Sequence, residues 1–282
     1  MNESTKMDRA EVESLYNPQE VLEPVRRAIE VACCGGPRDL IRFISRYANL
    51  NAWFGSGVAS LAGKLGRSRG IFVGPDEPIL DIADRSVLVA SYFFDAARDE
   101  FDDRDTPYRD THRCLAQACI KGLFDFLGPW TTEAANELLS PPLWLTAIGA
   151  RVSTGYGVST SNISTELFRS MGYHLGSEIL AESEFTLIDE AMREETPEVV
   201  SYLSTNKFTI ASQQHSGYAW ISLHSSIGAS KEADHFAWAT QGVEAALSFV
   251  PPKDRDVYRR QVHLGIGSFV RDHQEFFSAV SL

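Results

Sequence analysis

Residues Ser164–Glu194 read STELFRSMGYHLGSEILAESEFTLIDEAMRE, the longest stretch of helical periodicity in the chain. The pattern stops before Thr196-Pro197-Glu198. There a capping hydroxyl, a proline at the first helical position and an acidic first turn predict a second helix, over Pro197–Leu203. Inside the long segment His174, Glu178 and Glu182 stand four residues apart and so share one helix face. Leu175, Ile179 and Leu180 adjoin that stripe. It is either a solvated helix face or a row of polar groups pointing into a wet helical core.

Working outward, helical signals dominate. Pro18–Cys34 carries apolar positions at three- and four-residue steps and stops at Gly35-Gly36-Pro37, strong C-terminal punctuation. Further helical patterning covers Arg38–Lys64, Ile79–Phe101, Asp110–Leu127, Glu133–Leu139, a short piece opened by Pro141-Pro142, and Asp254–Val280. It also covers Ser216–Phe249, with a break expected at Gly228. Gly66–Pro78 and Gly155–Ser161 read as loops, and no run alternates as a strand does. The expectation is an all-α fold, one domain over 1–282 with roughly seven to ten helices. Residues 1–15 are expected to be a flexible N-terminal segment, and 80–250 to carry any site.

A formal net charge of −12 argues against nucleic acid or an anionic membrane as a partner. The strongly apolar run Ser86–Phe94 is too short to span a bilayer, and Met1–Ser14 lacks the apolar core of a signal peptide. Cys33, Cys34, Cys114 and Cys119 lack C-x-x-C spacing and fall in apolar helical context. They read as reduced, buried small side chains of a cytoplasmic protein.

Lys231-Glu232-Ala233-Asp234-His235, taken with Glu100, His112 and Glu182, carries the chemistry. Carboxylates with a few imidazoles suit iron or manganese better than zinc or copper. Glu100 continues the apolar stripe Val89, Phe93, Ala96 and Ala97, as either a fraying helix end or a buried, paired carboxylate. His112 opens the next helix, capped by Asp110 or Thr111. Glu232 and His235, three apart, reach one metal or two neighbouring metals from one face. Paired Glu-x-x-His motifs build the ferritin-like di-iron centre, but only one copy occurs here.

The arrangement resembles the heme-oxygenase-like di-iron oxidases and oxygenases, a family that includes the chlamydial protein associating with death domains. Asp99-Glu100-Phe101 resembles the family's first glutamate element, and His112 in Thr-His-Arg-Cys-Leu its histidine. Leu180-Ala181-Glu182-Ser183 resembles the second glutamate element. Glu232-Ala-Asp-His235 resembles the closing carboxylate and histidine, with Glu for the usual Asp. Where the family places its remaining histidine this chain has Gly228, and the nearest His is His224. On an unbroken helix His224 and His235 would stand ~16 Å apart. Either Gly228 breaks the helix and draws His224 in, or one metal has an incomplete ligand set.

The resemblance implies a heme-oxygenase-like bundle of seven or so core helices. It also implies two Fe2+ held by Glu100, His112, Glu182, His224, Glu232 and His235, with O2 as co-substrate. Glu100, His112 and His224 would hold one iron, Glu232 and His235 the other, with Glu182 bridging. The implied reaction is N-oxygenation, desaturation or carbon–carbon cleavage of an amino-acid or fatty-acid-like small molecule, in specialised metabolism; separately, a homodimer is one possible assembly. Phe93, Phe101, Phe185, Phe236 and Trp238 are either a dry pocket or ordinary core. Arg98, Arg151 and Arg169 are candidates for a carboxylate partner. The same fold would also accommodate a metal-independent enzyme like the thiaminases or pyrroloquinoline quinone synthase, with Cys114 or Cys119 as nucleophile. The third reading is a non-catalytic helical interaction protein.

Overall fold

The computed structural model describes residues 5–78, 80, 82–102, 109–158, 163–227 and 232–281; of 232–234 only the backbone is described. The described chain is mostly helical. In chain order it runs through α1 (Arg9–Glu13), α2 (Pro18–Cys34), α3 (Pro37–Asn51), α4 (Phe54–Arg67), α5 (Arg85–Phe101) and α6 (His112–Leu127). Then come α7 (Thr132–Leu139), α8 (Leu143–Gly155), α9 (Ser164–Glu195) and α10 (Pro197–Thr205). A two-stranded hairpin, β1 (Lys207–Ile210) and β2 (Gln213–Ser216), precedes α11 (Ala219–Ser222), α12 (Glu232–Ser248) and α13 (Arg255–Val280).

Local chemistry accounts for most boundaries. Asn17 and Thr111 cap α2 and α6 by accepting from the backbone N–H of Gln19 and Cys114. Gly36, at φ 102°, turns the chain from α2 into α3, a backbone state that favours glycine. Thr196 behaves differently from expectation: its hydroxyl donates to the Met192 carbonyl at 3.0 Å, closing α9 instead of capping α10.

Helix α9 lies at the centre, buried along most of its length and packed against α2, α4, α12 and above all α13. Its crossing with α13 is close because two glycines meet backbone there. A Cβ on Gly172 would land on the Val262 carbonyl oxygen, and one on Gly265 on that of Arg169. Helix α12 lies against both α5 and α9, so these three bring their polar residues together beside one contiguous apolar core.

Four expectations are corrected. Arg38–Lys64 is two helices, parted at Ala52–Trp53. Ser216–Phe249 is not one helix: β2, α11 and a turn precede α12. The hairpin was missed because Ala211 and Ser212 make its turn, at φ 48° and 67°. Two left-handed residues form a tight hairpin turn that Asn-Gly would have signalled and Ala-Ser does not. Finally, the N-terminal segment is packed from Thr5 onward: Thr5, Met7 and Val12 are buried, and Glu11 bridges to Arg259 and His263.

Candidate functional site

Five segments converge where α5, α6, α9 and α12 meet the turn after α11. The stripe Val89, Phe93, Ala96 and Ala97 is buried, and Glu100 follows it one turn further along α5. Glu100 Oε2 lies 3.1 Å from His112 Nδ1, on the first residue of α6. His112 Nδ1 is in turn 3.4 Å from His224 Nε2. His224 sits in the turn after α11, its ring stacked on Phe185 at 4.6 Å. The other ring nitrogen of His224, Nδ1, is 2.6 Å from the Trp220 carbonyl. A carbonyl only accepts, so Nδ1 carries the proton and Nε2 of the neutral ring is the lone-pair nitrogen.

A second group adjoins it. On α9, His174 Nδ1 lies 3.2 Å from Glu178 Oε1. The Tyr156 hydroxyl is 3.4 Å from that nitrogen and 2.8 Å from Ser177 Oγ. Ser177 gives its own proton to the His174 carbonyl, so it accepts from Tyr156. The proton between Tyr156 and His174 therefore belongs to Nδ1, which donates to Glu178. Glu178 Oε2 lies 3.5 Å from His235 Nδ1, and His235 Nε2 lies 3.3 Å from Asp99 Oδ2. The rings of His174, His224 and His235 are buried.

The two groups share one electrostatic field. Burial pushes the Glu100 carboxyl up. The imidazoles of His112, His235 and His174 outweigh that push and hold its pKa below the usual carboxylate value.

Four of the expected ligands, Glu100, His112, His224 and His235, are thus drawn together. The helix does break before α12, and His224 lies on the near side of that break; Gly228 itself is outside the described residues. Glu182 is turned aside. It lies one turn beyond Glu178 and pairs with Arg9 at 3.1 Å, while Glu178 faces the histidines. The side chain of Glu232 is outside the described residues. Sequence reasoning missed His174, Glu178 and Asp99. The first two were visible as members of the four-residue stripe, and the third as the neighbour of Glu100.

Among the described residues no three His, Cys, Asp or Glu side chains close on a single ion-sized point; the donors meet in pairs. The separations within these pairs, 3.1–3.5 Å, are those of hydrogen bonds and ion pairs. Four imidazoles with Asp99, Glu100 and Glu178 are a nitrogen and oxygen donor set that fits iron or manganese.

A cavity of about 270 Å³ opens against this cluster. Glu100, His112, Glu178 and His224 form one wall, and Ala52, Phe101, Phe185 and Trp220 supply apolar surface. Gly55 keeps the α4 backbone against Glu100: a Cβ there would come within 3.0 Å of Glu100 Cβ. Phe93 and Phe236 are core residues outside the cavity wall.

The other candidate residues lie elsewhere or are committed. Arg98 pairs with Asp95, and Arg151 with Asp272 and Glu275. Arg169 is not on the cavity wall. All four cysteines are free thiols; Cys119 is buried, Cys33 and Cys114 are half-buried, and Cys34, the last residue of α2, is exposed. Cys119 is fully buried and its thiol is pushed up to about 12 by that burial, the opposite of an activated nucleophile. No described helix is long and apolar enough to cross a membrane. Comparison with models of known families, with curated proteins and with solved structures gives no match.

Proposed function

We propose that this protein is a non-heme di-iron oxidase or oxygenase, of heme-oxygenase-like architecture, acting with O2 on a small organic substrate. One observation carries the reading: three carboxylates and four imidazoles from five separate segments face one another at donor separations of 3.1–3.5 Å beside a closed-in cavity.

Glu100, His112 and His224 would hold one metal, and His174, Glu178, His235 and Asp99 the other, with Glu100 and Glu178 at the junction. When bound, two Fe(II) ions would supply two electrons to O2, and oxidation of the substrate would supply the remaining two. The chain's own contribution is to orient and to exclude. The Trp220 carbonyl fixes the His224 tautomer. Tyr156 and Ser177 fix that of His174. Phe185 and Trp220 keep water from the reacting atoms.

The test is anaerobic reconstitution with Fe(II), followed by metal analysis and O2 uptake. About two irons per chain and stoichiometric O2 consumption are expected. A folded protein that takes up no iron would end the proposal.

A further inference from the structure

The cavity beside the histidines has a cation at its rim that the metal reading leaves unused. Arg113 follows His112 on α6 and lines the cavity. Its Nη1 donates to the Ala48 carbonyl at 2.6 Å, which anchors the guanidinium on the backbone of α3. No carboxylate pairs with it among the described residues, in a chain where acidic residues outnumber basic ones by 38 to 26. Two other arginines, Arg98 and Arg151, are paired with Asp95 and with Asp272 and Glu275.

The geometry points to an organic-anion site: we infer that Arg113 holds the carboxylate of a small ligand whose apolar body lies against Phe101, Phe185 and Trp220. A guanidinium carries five N–H donors, and the Ala48 carbonyl takes one. The rest of the fork matches the two oxygens of a carboxylate, a bidentate fit that a lysine does not reproduce. The cavity volume of about 270 Å³ lies just below the usual range of ligand pockets, ~300–1,000 Å³, so the ligand is small. Glu100 and Glu178 also line the cavity and repel an anion, so the carboxylate end is held at Arg113.

This site needs no metal, which separates its test from that of the di-iron reading. Full-length metal-free protein is titrated with phenylacetate, its neutral amide phenylacetamide, the cation phenylethylamine and inorganic phosphate. Binding is followed by calorimetry and by shifts of the Trp220 indole and the His112 and His224 imidazole NMR signals. Phenylacetate is expected to bind with those shifts, about tenfold or more tighter than the amide. Arg113→Gln should remove that preference while leaving amide binding unchanged, and Arg113→Lys should fall between. The two variants should unfold at the wild-type denaturant midpoint, since Arg113 bonds only one carbonyl. The inference is overturned if acid and amide bind equally, if phenylethylamine is preferred, or if phosphate shifts the same signals as strongly as phenylacetate. It is also overturned if Arg113→Gln keeps the preference or if no probe binds. Iron uptake by the same preparation decides the di-iron reading independently.

Discussion

His224 donates its Nδ1–H to the main-chain carbonyl of Trp220, four residues earlier, at 2.6 Å. One turn of backbone therefore dictates which nitrogen of His224 faces His112. His224→Ala is expected to lose iron as His235→Ala does, by roughly tenfold or more in affinity, because each removes an imidazole from the cluster. Metal analysis after anaerobic reconstitution checks this. Full iron content in His224→Ala would mean that the contact with His112 is only packing.

Gly55 offers a probe that touches no donor. An alanine methyl there would crowd Glu100 Cβ at 3.0 Å and Oε2 at 3.3 Å. The Glu100 side chain must yield by a few tenths of an ångström. Gly55→Ala should weaken iron binding while the helix gains up to ~1 kcal/mol of propensity. Urea unfolding of the metal-free protein and iron titration, run together, separate the two effects. Weakened stability with unchanged iron affinity would refute the assignment of Glu100.

The helical class and most helix ends were legible because Pro, Gly and capping hydroxyls mark them locally, as at Pro18, Gly36 and Thr111. What was not legible depends on contacts between distant segments. The stripe His174, Glu178, Glu182 is visible in sequence, but its last member is drawn away by Arg9, which lies 173 residues earlier in the chain. The Ala211–Ser212 turn adopts left-handed backbone without the residues that announce it. The approach of His224 to His112 depends on the turn after α11, which helical periodicity does not reveal.

Glu100 also makes a pH prediction. Its pKa in the folded protein lies below the ordinary carboxylate value. Its ionised form therefore stabilises the fold fully above the unfolded pKa, ~4.3, and that contribution is lost as pH falls through the lower folded value. The stability difference between metal-free wild type and Glu100→Gln should hold steady down to about pH 5 and shrink below it. Urea midpoints across that range measure it. A gap that widens on acidification would reverse the sign and show that burial, not the histidines, governs Glu100.

Behind the cavity wall, Glu184 accepts from the Tyr47 hydroxyl at 2.7 Å and meets His273 Nε2 at 2.8 Å, with all three side chains buried. Removing the carboxylate leaves a hydroxyl and an imidazole without their partner in the core. Glu184→Ala should cost about 3–5 kcal/mol, and Glu184→Gln clearly less, because the amide still accepts from Tyr47. Thermal and urea unfolding read both. Equal losses in the two variants would indicate that volume matters more than the hydrogen bonds.

Glu178 and Glu182 provide the most direct contrast, two carboxylates one turn apart on α9 with opposite surroundings. Glu178 lies between His174 and His235, while among the described residues Glu182 pairs with the half-exposed Arg9. Glu178→Gln should sharply lower iron stoichiometry, since an amide oxygen is a poorer and uncharged ligand. Glu182→Gln should leave iron content intact and cost no more than ~1 kcal/mol, the scale of a solvent-screened ion pair. If the two outcomes were exchanged, with Glu182→Gln losing iron and Glu178→Gln retaining it, α9 would have to turn a different face to the metals. Glu178 would then be a helix-surface partner of His174 and nothing more.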